Sequence, residues 1–234
     1  MKVTLFRGFS FEAAHRNMAA GAGSASSRLH GHSYRATVWL GGSIDNQLGW
    51  LRDFADIKSV CAPAIAKLDH CYLNELEGMR DTSLADVTRW LESCLRETLP
   101  DVERCAVEIV GDGQFNPVIQ PAGRQGARLA QVGFWFAAAH LLPVLPESHK
   151  CQRLHGHSFR VGITTSDAQE LLKRLEGIYT RLDHHFLNEI PGLENPTSEN
   201  LSRWLWEELA AAGSRPHEVV VQETCTTGCV YRGE

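Results

Sequence analysis

The sequence predicts an α+β protein made of two tandem copies of one small unit, each a group of strands accompanied by two helices. Three observations predict it. Short motifs recur at fixed offsets, which is the signature of internal duplication. Period-two alternation of apolar residues marks strands in both copies. Windows of helical length then follow the strands in the same order in each copy.

The repeats set the frame. Phe11-Glu12-Ala13-Ala14-His15 matches Phe136-Ala137-Ala138-Ala139-His140, and Arg28-Leu29-His30-Gly31-His32-Ser33-Tyr34-Arg35 matches Arg153-Leu154-His155-Gly156-His157-Ser158-Phe159-Arg160, both at an offset of 125. Leu68-Asp69-His70 matches Leu182-Asp183-His184, and Thr88-Arg89-Trp90-Leu91 matches Ser202-Arg203-Trp204-Leu205, now at an offset of 114. Half 2 has therefore lost 11 residues between its second strand and its first helix.

Taken in order, each half reads as strand, strand, helix, helix, strand. Phe9, Phe11, Ala13 and His15 share one face of a strand, as do His30, His32, Tyr34, Ala36 and Val38. Residues 54–70, 84–98, 168–182 and 198–212 suit helices. The last of these opens at Asn195-Pro196-Thr197-Ser198-Glu199, where Thr197 suits an N-cap and Glu199 the first turn. Residues His217 to Glu223 read as a strand, and Gly228 turns the chain into Cys229-Val230-Tyr231. The glycine- and proline-containing stretch 111–127 is the least patterned, and half 1's last strand falls within it if that strand exists. The expected units are 1–115 and 131–234, joined by a linker at 116–130.

Composition bounds the function. With 43% hydrophobic and 22% charged residues, the 234-residue chain has material for a sizeable core. A net charge of −5 argues against nucleic acid as a partner, because phosphate binding needs a basic surface. No apolar run approaches a membrane span, and the N-terminus lacks the pattern of a signal peptide, so a cytoplasmic address is expected. The seven cysteines form no CxxC pair, which argues against a disulfide framework.

The histidines carry the chemistry. Two histidines at i and i+2 on a strand project to one side, about 6.5 to 7 Å apart. A third at the end of a neighbouring strand closes a trigonal set. His140, His155 and His157 form such a trio, and His15, His30 and His32 repeat it less securely as a metal site. Three imidazoles leave one tetrahedral position open, the arrangement of a catalytic zinc rather than a structural one.

At these residues the chain resembles the family of 6-pyruvoyltetrahydropterin and 6-carboxytetrahydropterin synthases. The likeness covers both halves and is strongest over 134–234, through Phe136 to His140, Pro146 to Cys151, Arg153 to Phe159, Leu182 to His185, Asn195 to Asn200, Glu223-Thr224 and the terminal Val230-Tyr231-Arg232-Gly233-Glu234. The stretch around Cys151 resembles the bacterial 6-carboxy enzymes more closely. The resemblance implies two tandem tunnelling-fold units, each an antiparallel sheet covered by two helices, and assembly into a homo-oligomer such as a trimer of tandem chains. It implies Zn2+ as cofactor and a pterin, 7,8-dihydroneopterin triphosphate, as substrate. The product is 6-carboxytetrahydropterin, released with triphosphate and acetaldehyde on the way to 7-deazapurines such as queuosine. The alternatives are 6-pyruvoyltetrahydropterin, retro-aldol cleavage of a related dihydropterin, or a non-catalytic pterin- or purine-binding subunit.

The resemblance also implies residue roles. Cys151 stands where the family carries its base, with a thiol pKa lowered by zinc and imidazole. His184 steered by Asp183 serves as its proton-transfer partner, or Asp69 and His70 of half 1 do so instead, and the sequence does not choose between the pairs. Glu223 anchors the pterin by accepting two parallel N–H donors. Thr197, Ser198 and Glu199 match a second recognition patch. Half 1 departs from this pattern, with Ser26 opposite Cys151, Ala85 opposite Glu199 and approximately Gly111 opposite Glu223, while Glu108 has the wrong strand parity to substitute. It keeps Gly49, Asp53 and Phe54 of a segment that half 2 lacks. Half 1 is thus expected to be a non-catalytic partner to the half-2 site.

Overall fold

In a computed structural model the duplication becomes two sheets, each backed by two helices. The structure describes residues 1–79, 81–111, 115–122, 129–224 and 226–233. Residues 123–128 of the expected linker, Cys225 and Glu234 lie outside them.

Half 1 contains β1 (Lys2–His15), β2 (His30–Ser43), α1 (Phe54–Leu68), β3 (Cys71–Tyr72), α2 (Leu84–Arg96) and β4 (Val102–Val110), in a sheet of order β3-β1-β2-β4. A further strand, β5 (Val118–Ala122), follows. Half 2 contains β6 (Leu129–His140), β7 (His155–Thr165), α3 (Ala168–Leu182), β8 (His185–Phe186), α4 (Ser198–Ala211), β9 (Glu218–Gln222) and β10 (Gly228–Tyr231). Its sheet runs β10-β9-β7-β6-β5, with β8 against β6.

The strands form where alternation predicts them, because one face meets the helices. Phe11, Tyr34, Ala36, Val38 and Leu40 pack under Ile57, Leu68, Leu91 and Leu95 in half 1. Phe136, Phe159, Val161 and Ile163 pack under Leu175, Leu182, Leu201 and Leu205 in half 2. Phe11 stacks on Tyr34 and Phe136 on Phe159, with ring centroids 4.8 and 4.9 Å apart. Each helix starts at a side-chain cap, since Asp53, Ser83, Asp167 and Thr197 accept from the backbone N–H of Ala55, Asp86, Glu170 and Asn200.

Two expectations change. The segment read as linker is not all linker: Val118–Ala122 forms a strand antiparallel to β6, Val118 facing Gly133, and β6 itself begins at Leu129. That strand extends the second sheet instead of completing half 1. Helix α1 ends at Leu68 rather than residue 70, because Asp69 is already extended and His70 takes a left-handed φ of 54°. His184 repeats this with a φ of 55°. Such backbone is uncommon outside glycine, and in both halves it follows the helix end and precedes a two-residue parallel bridge.

The two sheets meet where β2 and β7 pass each other. A Cβ placed on Gly156 lies 2.6 Å from the Cα of Gly31 and 2.5 Å from the carbonyl oxygen of Ala138. Beside this crossing the N–H of Ser33 donates to Ser158 Oγ, and the N–H of Ser158 donates to Ser33 Oγ, both at 3.2 Å. Only glycine allows so close an approach of two backbones. Gly156→Ala is therefore expected to lower the unfolding free energy by about 1–3 kcal/mol. Gly8→Ala, whose new methyl meets nothing within 4 Å, is expected to be neutral or mildly stabilising. Urea unfolding of both variants checks the pair.

Candidate metal centre and active site

The parity of β6 and β7 brings His140, His155 and His157 together at the end of the half-2 core. β6 and β7 pair with His140 opposite His155. All three rings are buried. Each is oriented through Nδ1: His140 to the carbonyl of Pro196 at 3.1 Å, His155 to the carbonyl of Arg153 at 2.7 Å, and His157 to Glu12 Oε2 at 2.9 Å. A carbonyl only accepts, so Nδ1 of His140 and of His155 carries the proton and Nε2 offers a lone pair. Nε2 of His155 is buried without a hydrogen-bond partner among the described residues, and those of His140 and His157 are buried facing Glu223 Oε1 at 3.2 Å. The three nitrogens converge with a Glu223 oxygen, all within 4.8 Å of one another. Three imidazole nitrogens and a carboxylate turned to one point suit a divalent cation, which removes the cost of burying unpaired polar atoms.

Glu223 is placed differently from expectation. Its Oε1 lies 3.2 Å from Nε2 of both His140 and His157, in the position of a fourth ligand, and its Oε2 accepts from Ser198 Oγ at 2.9 Å. Burial works against its charge, but the two imidazoles outweigh this and hold its carboxyl well below the usual range. Thr197 caps α4, and Glu199 is exposed in the first turn, its carbonyl accepting from Ser202 Oγ. Of the expected recognition patch, Ser198 alone is hydrogen-bonded to Glu223.

The Asp–His pairs cross between halves. His70 stacks on His155 with centroids 4.4 Å apart, and ligand atoms of His70, Cys151 and His155 lie within 4.8 Å of one another. Asp69 Oδ1 accepts from His70 Nδ1 at 2.8 Å and from the N–H of Glu12 at 3.1 Å, while Lys150 of half 2 reaches Asp69 Oδ2 at 3.2 Å. Burial opposes the charge on Asp69, but these donors hold its carboxyl well below the usual range. Reciprocally, His184 lies against His30 at 4.2 Å, with Asp183 Oδ2 on its Nδ1 at 2.7 Å. So the structure sets His70 beside Cys151 and sends His184 to the half-1 trio. Among the protein's own groups, burial first and then Glu223 push the Cys151 thiol up.

The half-1 trio repeats the geometry with fewer partners. His15 Nδ1 donates to Thr82 Oγ1 at 3.0 Å, whose own hydroxyl donates to the carbonyl of Arg16, and His30 Nδ1 donates to the carbonyl of Arg28 at 2.8 Å. His32 Nδ1 is buried without a partner among the described residues. Over this trio lies a cavity of about 460 Å³, lined by Ser26, Leu84, Gly111 and His184 among others. Glu108 points away to Arg35, at 3.4 Å, as its parity requires.

Glu12 and Lys150 were not picked out as site residues from the sequence. Their one signal is a mismatch inside matching repeats, since Glu12 faces Ala137 and Lys150 faces Ala25 in the register of the halves.

Comparison with known proteins places this geometry. The family description for 6-pyruvoyl tetrahydropterin synthase matches residues 4–113 and again 130–234. The chain belongs to the 6-pyruvoyl tetrahydropterin synthase family. It is a lyase-type enzyme of that family with its unit present twice. A relative from Synechocystis, 6-carboxy-5,6,7,8-tetrahydropterin synthase, is 40% identical over 42% of this chain and 88% of the relative. The dihydroneopterin monophosphate aldolase of Pyrococcus furiosus is 31% identical over 32% of this chain and 68% of the relative. The solved 6-pyruvoyl tetrahydropterin synthase of Caenorhabditis elegans aligns with 47% of this chain and 90% of its own, at 23% identity and a TM-score of 0.42. Among the described residues no helix is long and apolar enough to cross a membrane.

The two trios differ in how protons compete with a metal. Burial lowers the pKa of His140 and takes His155 down to about 2, whereas at His157 the carboxylates of Glu12 and Glu223 outweigh burial and push it up to about 9. In half 1, burial takes His15 to about 4, His30 to about 2 and His32 well below its ordinary value. A metal entering the half-2 trio must therefore displace the His157 proton at neutral pH. Its affinity is expected to rise about tenfold per pH unit over roughly pH 6 to 8, with about one proton released per ion, while the half-1 trio stays nearly flat. Zinc competition titrations of the metal-free chain at several pH values, with proton release in weak buffer, check this. Two equally flat profiles would contradict it.

Proposed function

We propose that the chain is a zinc-dependent carbon–oxygen lyase that converts 7,8-dihydroneopterin triphosphate into 6-carboxy-5,6,7,8-tetrahydropterin, releasing triphosphate and acetaldehyde, through one working site in half 2. The observation that carries this reading is the meeting of Cys151 and the Asp69–His70 pair at the His155 edge of the trio, with the Glu223 charge felt at the Cys151 thiol. The named activity of the Synechocystis relative supports the choice of product.

His140, His155 and His157 would hold the zinc, whose Lewis acidity would make the substrate's side-chain hydroxyls and C–H protons more acidic. Cys151 and His70 are the groups placed to take and return protons at that side chain. Asp69 keeps the proton of His70 on Nδ1 and so leaves Nε2 free to exchange one. Lys150 fixes Asp69 from the other half. Substrate entry moves Glu223 off the imidazoles, and its carboxylate then accepts the paired N–H donors of the pterin edge, with Ser198 steadying its second oxygen. Half 1, with Ser26, Leu84 and Gly111 at the corresponding places, supplies Asp69 and His70 and does not turn over substrate itself. Strands β4 and β10 each end a sheet with one neighbour, which favours assembly of several chains.

Retro-aldol cleavage of a dihydroneopterin phosphate is the second reading, favoured by the aldolase relative. Product identification separates the two, because acetaldehyde and a 6-carboxy pterin arise only in the first. With dihydroneopterin triphosphate, Cys151→Ala and His70→Ala are each expected to lower kcat by about 10²–10⁴-fold. His184→Ala should keep it within a few-fold of the unaltered chain. If His184→Ala abolishes turnover while His70→Ala does not, the crossed site is wrong.

A further inference from the structure

We infer that Glu12 of half 1 is the positioning residue of the half-2 metal centre, so that each chain carries one tight and one weak divalent-metal site. The inference rests on the metal-binding part of the reading above. Its basis is a carboxylate present on one side of the pseudo-symmetric pair and missing on the other.

Glu12 sits on β1 directly opposite Ser33 of β2. Its Oε2 accepts from Ser33 Oγ at 2.6 Å and from His157 Nδ1 at 2.9 Å, across the junction between the sheets. Its backbone is fixed too, because its N–H donates to Asp69 Oδ1 and its carbonyl accepts from the N–H of His70 at 2.6 Å. The side chain is thus delivered to His157 by main chain that cannot slide. A carboxylate on the far nitrogen of a metal-binding imidazole fixes the tautomer and the ring plane and makes the ligating nitrogen more basic.

The arrangement that half 2 presents to the half-1 trio repeats these backbone contacts without the carboxylate. Ala137 lies opposite Ser158 on β6 and β7. Its N–H donates to Asp183 Oδ1 at 2.9 Å and its carbonyl accepts from the N–H of His184 at 2.6 Å. There the side chain is a methyl group, and the imidazole it would serve, His32, has a buried Nδ1 with no partner among the described residues. The other two rings of each trio have equivalent acceptors, a carbonyl or hydroxyl near residue 82 or 196 and the carbonyl two residues before the first strand histidine. Behind the ligating nitrogens the difference between the sites therefore falls on one ring, and on one side chain supplied by the opposite half; in front of them, among the described residues, Glu223 faces the half-2 trio alone.

The test is metal affinity, read without substrate. The unaltered metal-free chain is titrated with Zn2+ against a chromophoric chelator, and with Co2+ by its visible absorption. Two classes of site are expected, one ion in each, differing by at least about tenfold. Glu12→Ala should weaken the tight class by about 10–100-fold and alter its Co2+ spectrum, leaving the weak class in place. Glu12→Gln keeps an oxygen for His157 Nδ1 and should recover part of the loss. Ala137→Glu should tighten the weak class. If that variant does not fold, the comparison of Glu12→Ala with Glu12→Gln decides alone. Two sites of equal affinity, or a tight site indifferent to Glu12→Ala, would overturn the inference while leaving the metal centre standing. A chain that binds neither ion would overturn both.

Discussion

The backbone crossing of Gly31 and Gly156 is the constraint on which the remaining structure depends. Two strands approach there until a single methyl would strike main chain, and the reciprocal Ser33 and Ser158 bonds lock them in register. With the crossing fixed, the end of each core strand pair points its histidines at the opposite half. The left-handed turns at His70 and His184 then deliver each Asp–His pair to the other half's trio. Neither site is complete within its own repeat. A duplication joined by such a crossing shares its histidine clusters between the halves even though its two cores are separate clusters.

The same scaffold carries two unequal electrostatic environments. In half 2 two carboxylates face His157 and a lysine faces Asp69, so charge is balanced by charge and the centre can hold a cation. In half 1 the three imidazoles meet no carboxylate among the described residues, and burial pushes their pKa values down. Gly111, Ser26 and Leu84 leave a cavity where half 2 has Glu223, Cys151 and Ser198. The crossing tolerates this divergence because it uses main chain, glycine and serine, which both repeats share. Side chains on the outer wall of each pocket are free to differ.

Most of the fold was legible because duplication supplied an internal comparison and parity did the rest. The alternation through Phe11, Ala13 and His15 fixed the face of β1, and the cap at Thr197 placed the start of α4. The strand at Val118–Ala122 was not legible, since its burial is too slight to impose alternation: Val118 and Ile119 are exposed. The convergence of each histidine trio was legible from spacing alone. The choice between the Asp–His pairs was not, because it depends on a contact between halves that no local pattern encodes. Glu12 was hidden for the same reason. It reads as an ordinary outward residue of a strand until β7 is laid against it.

Half 1 keeps its three histidines and its reach to Asp183–His184 although serine, alanine and glycine stand opposite Cys151, Glu199 and Glu223, and hydrogen bonds account for most of this without catalysis. Asp183 Oδ1 takes the N–H of Ala137, the residue that aligns β6 at the junction, and Asp69 does the same for Glu12. His30 Nδ1 satisfies the carbonyl of Arg28, and His15 Nδ1 satisfies Thr82, itself bound to Arg16. Losing any of these leaves a buried polar group unpaired, at a cost of about 1–3 kcal/mol each. Fold stability thus accounts for His15, His30 and the Asp183–His184 pair as parts of the crossing, and not for His32, whose buried Nδ1 has no partner among the described residues. Cys151, Glu223 and Lys150 have no such second duty in half 1, where serine, glycine and alanine stand in their places. What half 1 retained are mostly groups that satisfy buried backbone, and what it lost are the two groups proposed to serve the substrate and, in Lys150, the one that holds Asp69 across the halves.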